Sequence, residues 1–153
     1  MIQIKTYPNK ILLHKSEEVK DVFDKKTNAL LSSLGFILFK NINALGIASP
    51  QIGILKRVFV IRLDRLTPEG LTLQVINPKV IGIGEKVIEE ESCLSLPNKI
   101  VKVERFKEVT LFYKDSEGKD QELVAGGQLA RCIQHEYDHL EGKLIWWGEE
   151  NAQ

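Results

Sequence analysis

An α+β fold is predicted, with mostly antiparallel strands in the middle of the chain and a helix near each end. Three observations predict it. The centre holds several β-branched-rich segments separated by short turn signals, with no helical crossover between them. A three-and-four apolar spacing runs between residues 24 and 41. The pattern QLARCIQHEYDHL (128–140), followed by Gly142, reads as a helix with a natural stop.

Taken in order, the first helix begins after Asp24, a suitable N-cap. Leu30, Leu34, Ile37, Leu38 and Asn41 keep one face, Leu31 widens it, and Gly35 weakens it slightly. NALGIASPQIG then halts the helix, since two glycines and Pro50 demand unusual or close-packed backbone. RVFVIRL (57–63) and LTLQVIN (71–77) read as strands joined through TPEG. After Pro78, KVIGIGEKVIEEE reads as a bent strand with glycine bulges. Beyond LSLPN come two alternating segments, KIVKVERF and EVTLFYKD, and DSEGK turns the chain into QELVAG. The final helix starts near Gly127.

At 153 residues the chain suits a single domain able to bury roughly two-thirds of its unfolded surface. Its 21 basic and 21 acidic residues cancel, so neither nucleic acid nor an anionic membrane is expected as a direct partner. No apolar run approaches the roughly 20 residues that cross a bilayer. MIQIKTYPNK lacks a basic stretch followed by an apolar one, so no secretory leader is expected. Cys93 and Cys132 are too few for a disulfide framework. A reducing, cytoplasmic setting is expected, with each cysteine a small buried group or a ligand.

CIQHEYDHLEG (132–142) carries the strongest chemical signal. His135 and His139 are four apart, so their imidazoles lie one above the other on a helix and can converge on one ion. Glu136 lies beside them, placed to handle a proton. Two ligands leave the site incomplete. A third histidine at position 145 would fit one HExxH pattern, but that residue is Ile145. Glu149 and Glu150 follow too soon for another, and His14 has no ligand spacing around it. The search therefore turns upstream to the cysteines, whose thiolate suits a borderline-soft divalent ion. Cys132 and His139 are separated by about 10.5 Å of helix rise, which strains their combined reach. Cys93, in EESCLSLPN at a strand end or bend, is favoured over Cys132 on spacing.

Three segments then occur in order: ALGIASPQ (44–51), ESCLS (91–95) and QHEYDHLEG (134–142). Together they resemble the motifs of the peptide deformylase family, hydrolases that remove the N-formyl group from formyl-methionine at the start of newly made polypeptides, releasing formate. The resemblance implies one catalytic domain over 1–153, its antiparallel sheets packed around a metal-binding C-terminal helix. The further C-terminal helix by which many bacterial members contact the ribosome is expected to be lacking. It implies Cys93, His135 and His139 as metal ligands and Glu136 as general acid and base. Gln51 and the backbone N–H of Leu94 would face the developing oxyanion, and Gly46, Ile47 and Leu129 would lie at or near the substrate pocket. Ferrous iron is the implied ion, with zinc, nickel or cobalt as substitutes. The implied partners are formyl-methionyl peptides and nascent chains, with transient proximity to the ribosome, and the protein is expected to be a monomer.

Three positions depart from the family pattern. Ala44 replaces the first glycine of the first motif, Ser49 its second alanine, and Ser92 the glycine before the cysteine. Ser92 adds a side chain that would narrow the mouth of the site or alter the hydrogen bonds of Cys93. None of the three removes a ligand or Glu136. Two other readings of HExxH remain beside this one: another metal-dependent amidase or peptidase, and a non-catalytic fold stabilised by a closed metal site. The second would want a fourth protein ligand. Asp138 either supports a ligand from behind or faces water, and Trp146 and Trp147 are expected to divide between core and surface.

Overall fold

Residues Lys25–Lys40 form helix α1 in the computed structural model, which describes residues 2–66 and 71–145. Asp24 accepts a hydrogen bond from the Lys26 N–H at 2.9 Å, satisfying one of the donors a helix start leaves open. Leu30, Leu31, Leu34, Ile37 and Leu38 are buried along one face, as their spacing predicts. Asn41 closes the helix by donating from both its backbone N–H and its side-chain amide to the Ile37 carbonyl.

Among the described residues five strands follow: β1 (Gly46–Ala48), β2 (Val58–Arg62), β3 (Thr72–Cys93), β4 (Leu96–Lys114) and β5 (Asp120–Gly126). They form one antiparallel sheet in sequence order. Helix α2 (Gly127–Leu140) starts directly after β5. Two sequence readings need correction here. LTLQVIN and the glycine-containing stretch after Pro78 are a single strand, and so are KIVKVERF and EVTLFYKD. Irregular composition is absorbed by bulges rather than by breaks. The β3–β4 register shifts between Ile76 and Lys79, where Asn77 has φ 51°, and between Ile83 and Lys86, where Gly84 has φ 72°. The first shift also accommodates Pro78, which has no N–H for the ladder. The TPEG turn (67–70), Trp146, Trp147, Glu149, Glu150 and the expected lack of a further C-terminal helix lie outside the described residues.

Helices cover both faces of the sheet. Val58, Val60 and Ile76 pack with Leu30, Leu34 and Leu38 of α1, while Phe59, Ile61, Val75 and Leu111 pack with Ala130, Ile133 and Leu140 of α2. Alternate residues of β2 thus face different helices, which is why the strand reads as a continuous apolar run. A third cluster of Leu12, Leu96, Val101, Leu144 and Ile145 holds the far end of the β3–β4 hairpin against both chain ends. No helix among the described residues is long and apolar enough to cross a membrane.

Helix α2 is fixed at its middle and its end. The Gln134 side chain pairs with the Phe106 backbone like another strand residue, accepting from its N–H and donating to its carbonyl, both at 2.9 Å. At the C-terminus, Ser16 N–H and the Arg57 guanidinium donate to the Leu140 carbonyl, a favourable place for a cation. Gly142 turns the chain with φ 75°, and a Cβ there would lie 2.7 Å from the Leu13 carbonyl oxygen. Only glycine fits both requirements.

Candidate active site

Cys93 ends β3, and His135 and His139 lie one turn apart on α2. Their donor atoms all fall within 4.8 Å of one another, with Cys93 Sγ 3.4 Å from His139 Nε2. The two rings stand 5.1 Å apart at 64°, edge to face. Burial opposes a charge on Cys93, but His139 and His135 outweigh it and hold the thiol well below its ordinary range. Burial likewise opposes a charge on His135, and Cys93, Glu136 and Glu91 reverse that, raising it well above its ordinary value. Protons and a divalent cation therefore compete for the same pocket. A thiolate and two imidazoles are the donors a borderline-soft ion favours, and three of them leave a coordination position open. The residues fit a divalent metal site.

Cys132 is not part of this group. It is packed with Ile133 and Leu140 on the sheet side, and burial with Glu136 and Glu91 nearby pushes its pKa up to about 12. Its sulfur lies outside the converging donors, and no fourth ligand joins them among the described residues. His14 is exposed and bonded to the Lys10 carbonyl, outside the group.

Behind the ligands lies a charge cluster that the sequence does not announce. Glu91, two residues before Cys93, accepts from His135 Nδ1 at 2.7 Å. The same carboxylate accepts two bonds from Arg105 of β4, at 2.9 and 3.0 Å, and one from Arg131 of α2, at 2.5 Å. Arg105 also reaches Asp138 at 2.5 Å, and Arg131 reaches Glu89 at 3.1 Å. Asp138 therefore supports the ligands only indirectly. One signal was available: Arg131 stands four residues before His135, on the same helix face. Its partner across the fold was not legible.

Glu136 is 4% exposed, and burial raises its pKa above the usual carboxylate value. Its Oε1 is buried without a hydrogen-bond partner among the described residues. Gly46 of β1 lies against it, and a Cβ at Gly46 would sit 2.7 Å from Glu136 Oε2. The glycine is what gives this carboxylate its room.

Gln51 follows β1 in a short 3-10 turn (Ser49–Ile52) and is 2% exposed. Its Oε1 accepts from the Ala48 N–H at 2.9 Å, and its Nε2 lies 3.1 Å from Ser95 Oγ and 3.6 Å from Cys93 Sγ. Ser49 puts its hydroxyl on the Ile54 carbonyl at 2.6 Å and so stabilises the same turn.

A cleft of about 1040 Å³ opens over these groups. Gly46, Gln51, Cys93, Leu94, His135 and Glu136 line it, as do Ala44 and the exposed Ser92 at the hairpin end. Ile47 and Leu129 do not. The period of two along β1 turns Ile47 away into the α1 core, and Leu129 packs with the α2 core.

Three converging metal ligands beside a buried carboxyl that lines a cleft, its Oε1 without a partner among the described residues, define a metal-dependent hydrolase. Comparison with known proteins narrows the class. The family model described as polypeptide deformylase matches residues 1–147. The peptide deformylase of Thermodesulfovibrio yellowstonii is 33% identical over 145 residues, covering 95% of this chain and 87% of that protein. That of Wolbachia pipientis is 40% identical over 146 residues, covering 90% and 80%. The crystal structure of the Thermotoga maritima enzyme superposes with a TM-score of 0.84 at 31% identity, covering 95% of each chain. A Synechococcus elongatus peptide deformylase in complex with actinonin gives 0.87 at 34% identity, over 94% of this chain and 78% of that one. The chain belongs to the polypeptide deformylase family.

The charge cluster has a measurable consequence. Burial alone would raise the Glu91 pKa, but His135 and Arg105 hold it well below the usual carboxylate range. An unfolded glutamate titrates near about 4.3, so the stability Glu91 contributes is complete above that pH. It is lost as the solution is acidified towards the folded value. Glu91→Gln leaves two buried guanidiniums short of a counter-charge, and at pH 7 should cost about 3–5 kcal/mol. Urea unfolding as a function of pH should show this deficit narrowing below about pH 4. A deficit constant down to pH 3 would show that the charge is not its source.

Proposed function

We infer that Glu136, Gln51 and the Leu94 backbone carry out the proton and charge work of peptide deformylation, the hydrolysis of the N-formyl group of formyl-methionine to formate and a free amine. The observation that carries this reading is the convergence of Cys93, His135 and His139 beside Glu136, whose Oε1 is buried without a partner among the described residues. A divalent cation held by the three ligands would acidify a water molecule and polarise the formyl carbonyl. Glu136 takes the proton of the attacking water and later returns it to the leaving amine. Its raised pKa suits it to both transfers. As the carbonyl carbon becomes tetrahedral, the Gln51 amide and the Leu94 N–H stabilise the growing negative charge. Gly46 keeps the β1 backbone close to Glu136, and the cleft between β1 and the β3–β4 hairpin end receives the peptide.

Ferrous iron is proposed as the native ion, with zinc, nickel or cobalt as working substitutes, because one thiolate and two imidazoles accept any of them. The chain is proposed to act as a single-domain cytoplasmic monomer on formyl-methionyl peptides and on nascent chains near the ribosome.

The activity itself is tested by measuring formate and acetate released from matched formyl- and acetyl-methionyl peptides. Hydrolysis of the formyl peptide with little or no action on the acetyl peptide is expected, since a methyl group must otherwise fit where formyl has only hydrogen. Comparable rates on both would contradict the assignment. Glu136→Ala should retain the metal and lose about 10²–10⁴-fold in turnover, the usual worth of a general acid and base. Metal loss from a folded Glu136→Ala variant would instead make the glutamate a ligand. Cys93→Ala should lose tight metal binding and activity together, whereas Cys132→Ala should keep one metal per chain. Metal content after desalting separates the two, and a Cys132→Ala protein emptied of metal would reverse the ligand assignment.

A further inference from the structure

We propose that Ser95 is a positioning residue for the reaction: its hydroxyl fixes which way the Gln51 amide points, leaving one amide proton aimed at Cys93 and the reacting carbonyl. This rests on the role given to Gln51 above. A primary amide has nearly the same shape in either orientation, and its partners alone decide where oxygen and nitrogen lie. At one end stands the Ala48 N–H, which can only donate, 2.9 Å from Oε1. At the other stands Ser95 Oγ, 3.1 Å from Nε2, and a hydroxyl can donate or accept.

What the hydroxyl offers is settled by a third group. Ser95 Oγ lies 2.7 Å from the Lys5 carbonyl oxygen, which can only accept. The hydroxyl proton is committed there, so Ser95 has only lone pairs to offer Gln51. Both ends of the amide therefore impose the same orientation. The flipped amide would set N–H against the Ala48 N–H and oxygen against the Cys93 thiolate. Of the two protons on Nε2, one is taken by Ser95, and the other is free to face Cys93 Sγ, 3.6 Å away.

The acceptor that commits Ser95 is itself pinned. Lys5 N–H donates to the Gln51 backbone carbonyl at 2.7 Å, and Tyr7 N–H donates to the Ser95 carbonyl at 2.9 Å. The Lys5–Tyr7 segment thus spans the first and second motifs, and Ser95 and Gln51 are 0% and 2% exposed, where water does not compete for these bonds. A preorganised donor costs no reorientation as charge develops, whereas a swivelling amide must be ordered in the transition state.

The test compares Ser95→Ala, Gln51→Ala and the double variant on a formyl-methionyl peptide, with metal content measured for each. Gln51→Ala should lose about 10²–10³ in kcat, the usual cost of one oxyanion donor. Ser95→Ala keeps the donor but leaves it held only at its Ala48 end, and should lose about tenfold or more in kcat with KM and metal content unchanged. The double variant should be no slower than Gln51→Ala, because the hydroxyl acts only through the amide. In nitrogen–proton spectra of the zinc-loaded wild-type protein the Gln51 amide protons should be displaced from the positions of a free glutamine amide and protected from exchange with water, and in Ser95→Ala they should return towards those positions and exchange faster. Normal kcat in Ser95→Ala beside a slow Gln51→Ala would overturn the proposal, and so would losses that multiply in the double variant. Metal loss from folded Ser95→Ala would overturn it too, by assigning the hydroxyl to the Cys93 hairpin. Normal turnover in Gln51→Ala would sink the role of Gln51 itself. Should Ser95→Ala fail to fold, the wild-type spectrum decides: Gln51 amide protons at free-glutamine positions and unprotected from water refute the fixed orientation.

Discussion

The Glu91 carboxylate is the interaction on which the rest of the site depends. It is 8% exposed, and it joins the end of β3 to β4 through Arg105 and to α2 through Arg131 and His135. An isolated carboxylate at that depth would protonate or draw in water. With four hydrogen bonds it is filled, and its ionised form is the stable one. The two arginines are in turn balanced by Asp138 and Glu89, which reach partly into solvent, so no net positive charge is trapped behind the metal ligands. A cluster of this kind contributes little to stability by comparison with an apolar core of the same volume. What it adds is direction: His135 Nδ1 is committed to Glu91, so its other ring nitrogen faces Cys93 and His139.

The sheet explains why so much chemistry fits at one point. Because α1 and α2 cover opposite faces, β1 must present alternate residues to each, and Gly46 falls on the α2 side against Glu136 while Ile47 enters the α1 core. The β3–β4 hairpin runs far enough along α2 to bring Glu91 to His135 and Cys93 to His139, positions one helical turn apart. Gln134 holds that alignment by binding the Phe106 backbone, so the helix cannot slide along β4 without breaking two hydrogen bonds. The short turn carrying Gln51 meets the hairpin end at Ser95.

The departures from the family pattern find places in this frame. Ser49 is buried and bonded to Ile54, stiffening the turn that carries Gln51. Ser92 is exposed where it lines the cleft, and Cys93 has polar partners in His139, His135 and Gln51. Ala44 lines the cleft where the chain leaves α1, its carbonyl accepting from Arg62 Nε.

Local pattern was enough for the elements that depend on local physics. Asp24 and the leucine spacing determined α1, the four-residue separation of His135 and His139 determined a two-ligand helix face, and Gly142 determined where that helix stops. Three ordered motifs determined the family, and with it the deformylase chemistry. The bulge at Gly84 was legible, but strand continuity across Asn77 and Pro78 was not, because that pair reads as a break until a partner strand shows that it is a bulge. Spacing favoured Cys93 over Cys132 as third ligand without deciding it, since reach along a helix says nothing about which strand crosses it. The tertiary structure decided that, by packing Cys132 into the core and laying the end of β3 beside the histidines. It alone decided the clamp of Glu91 by Arg105 and Arg131 and the loop of Lys5, Gln51 and Ser95. These groups lie 14 to 90 residues apart in the chain, and a hydrogen bond has no sequence signature at such a distance: it exists only where packing has brought donor and acceptor within about 3 Å.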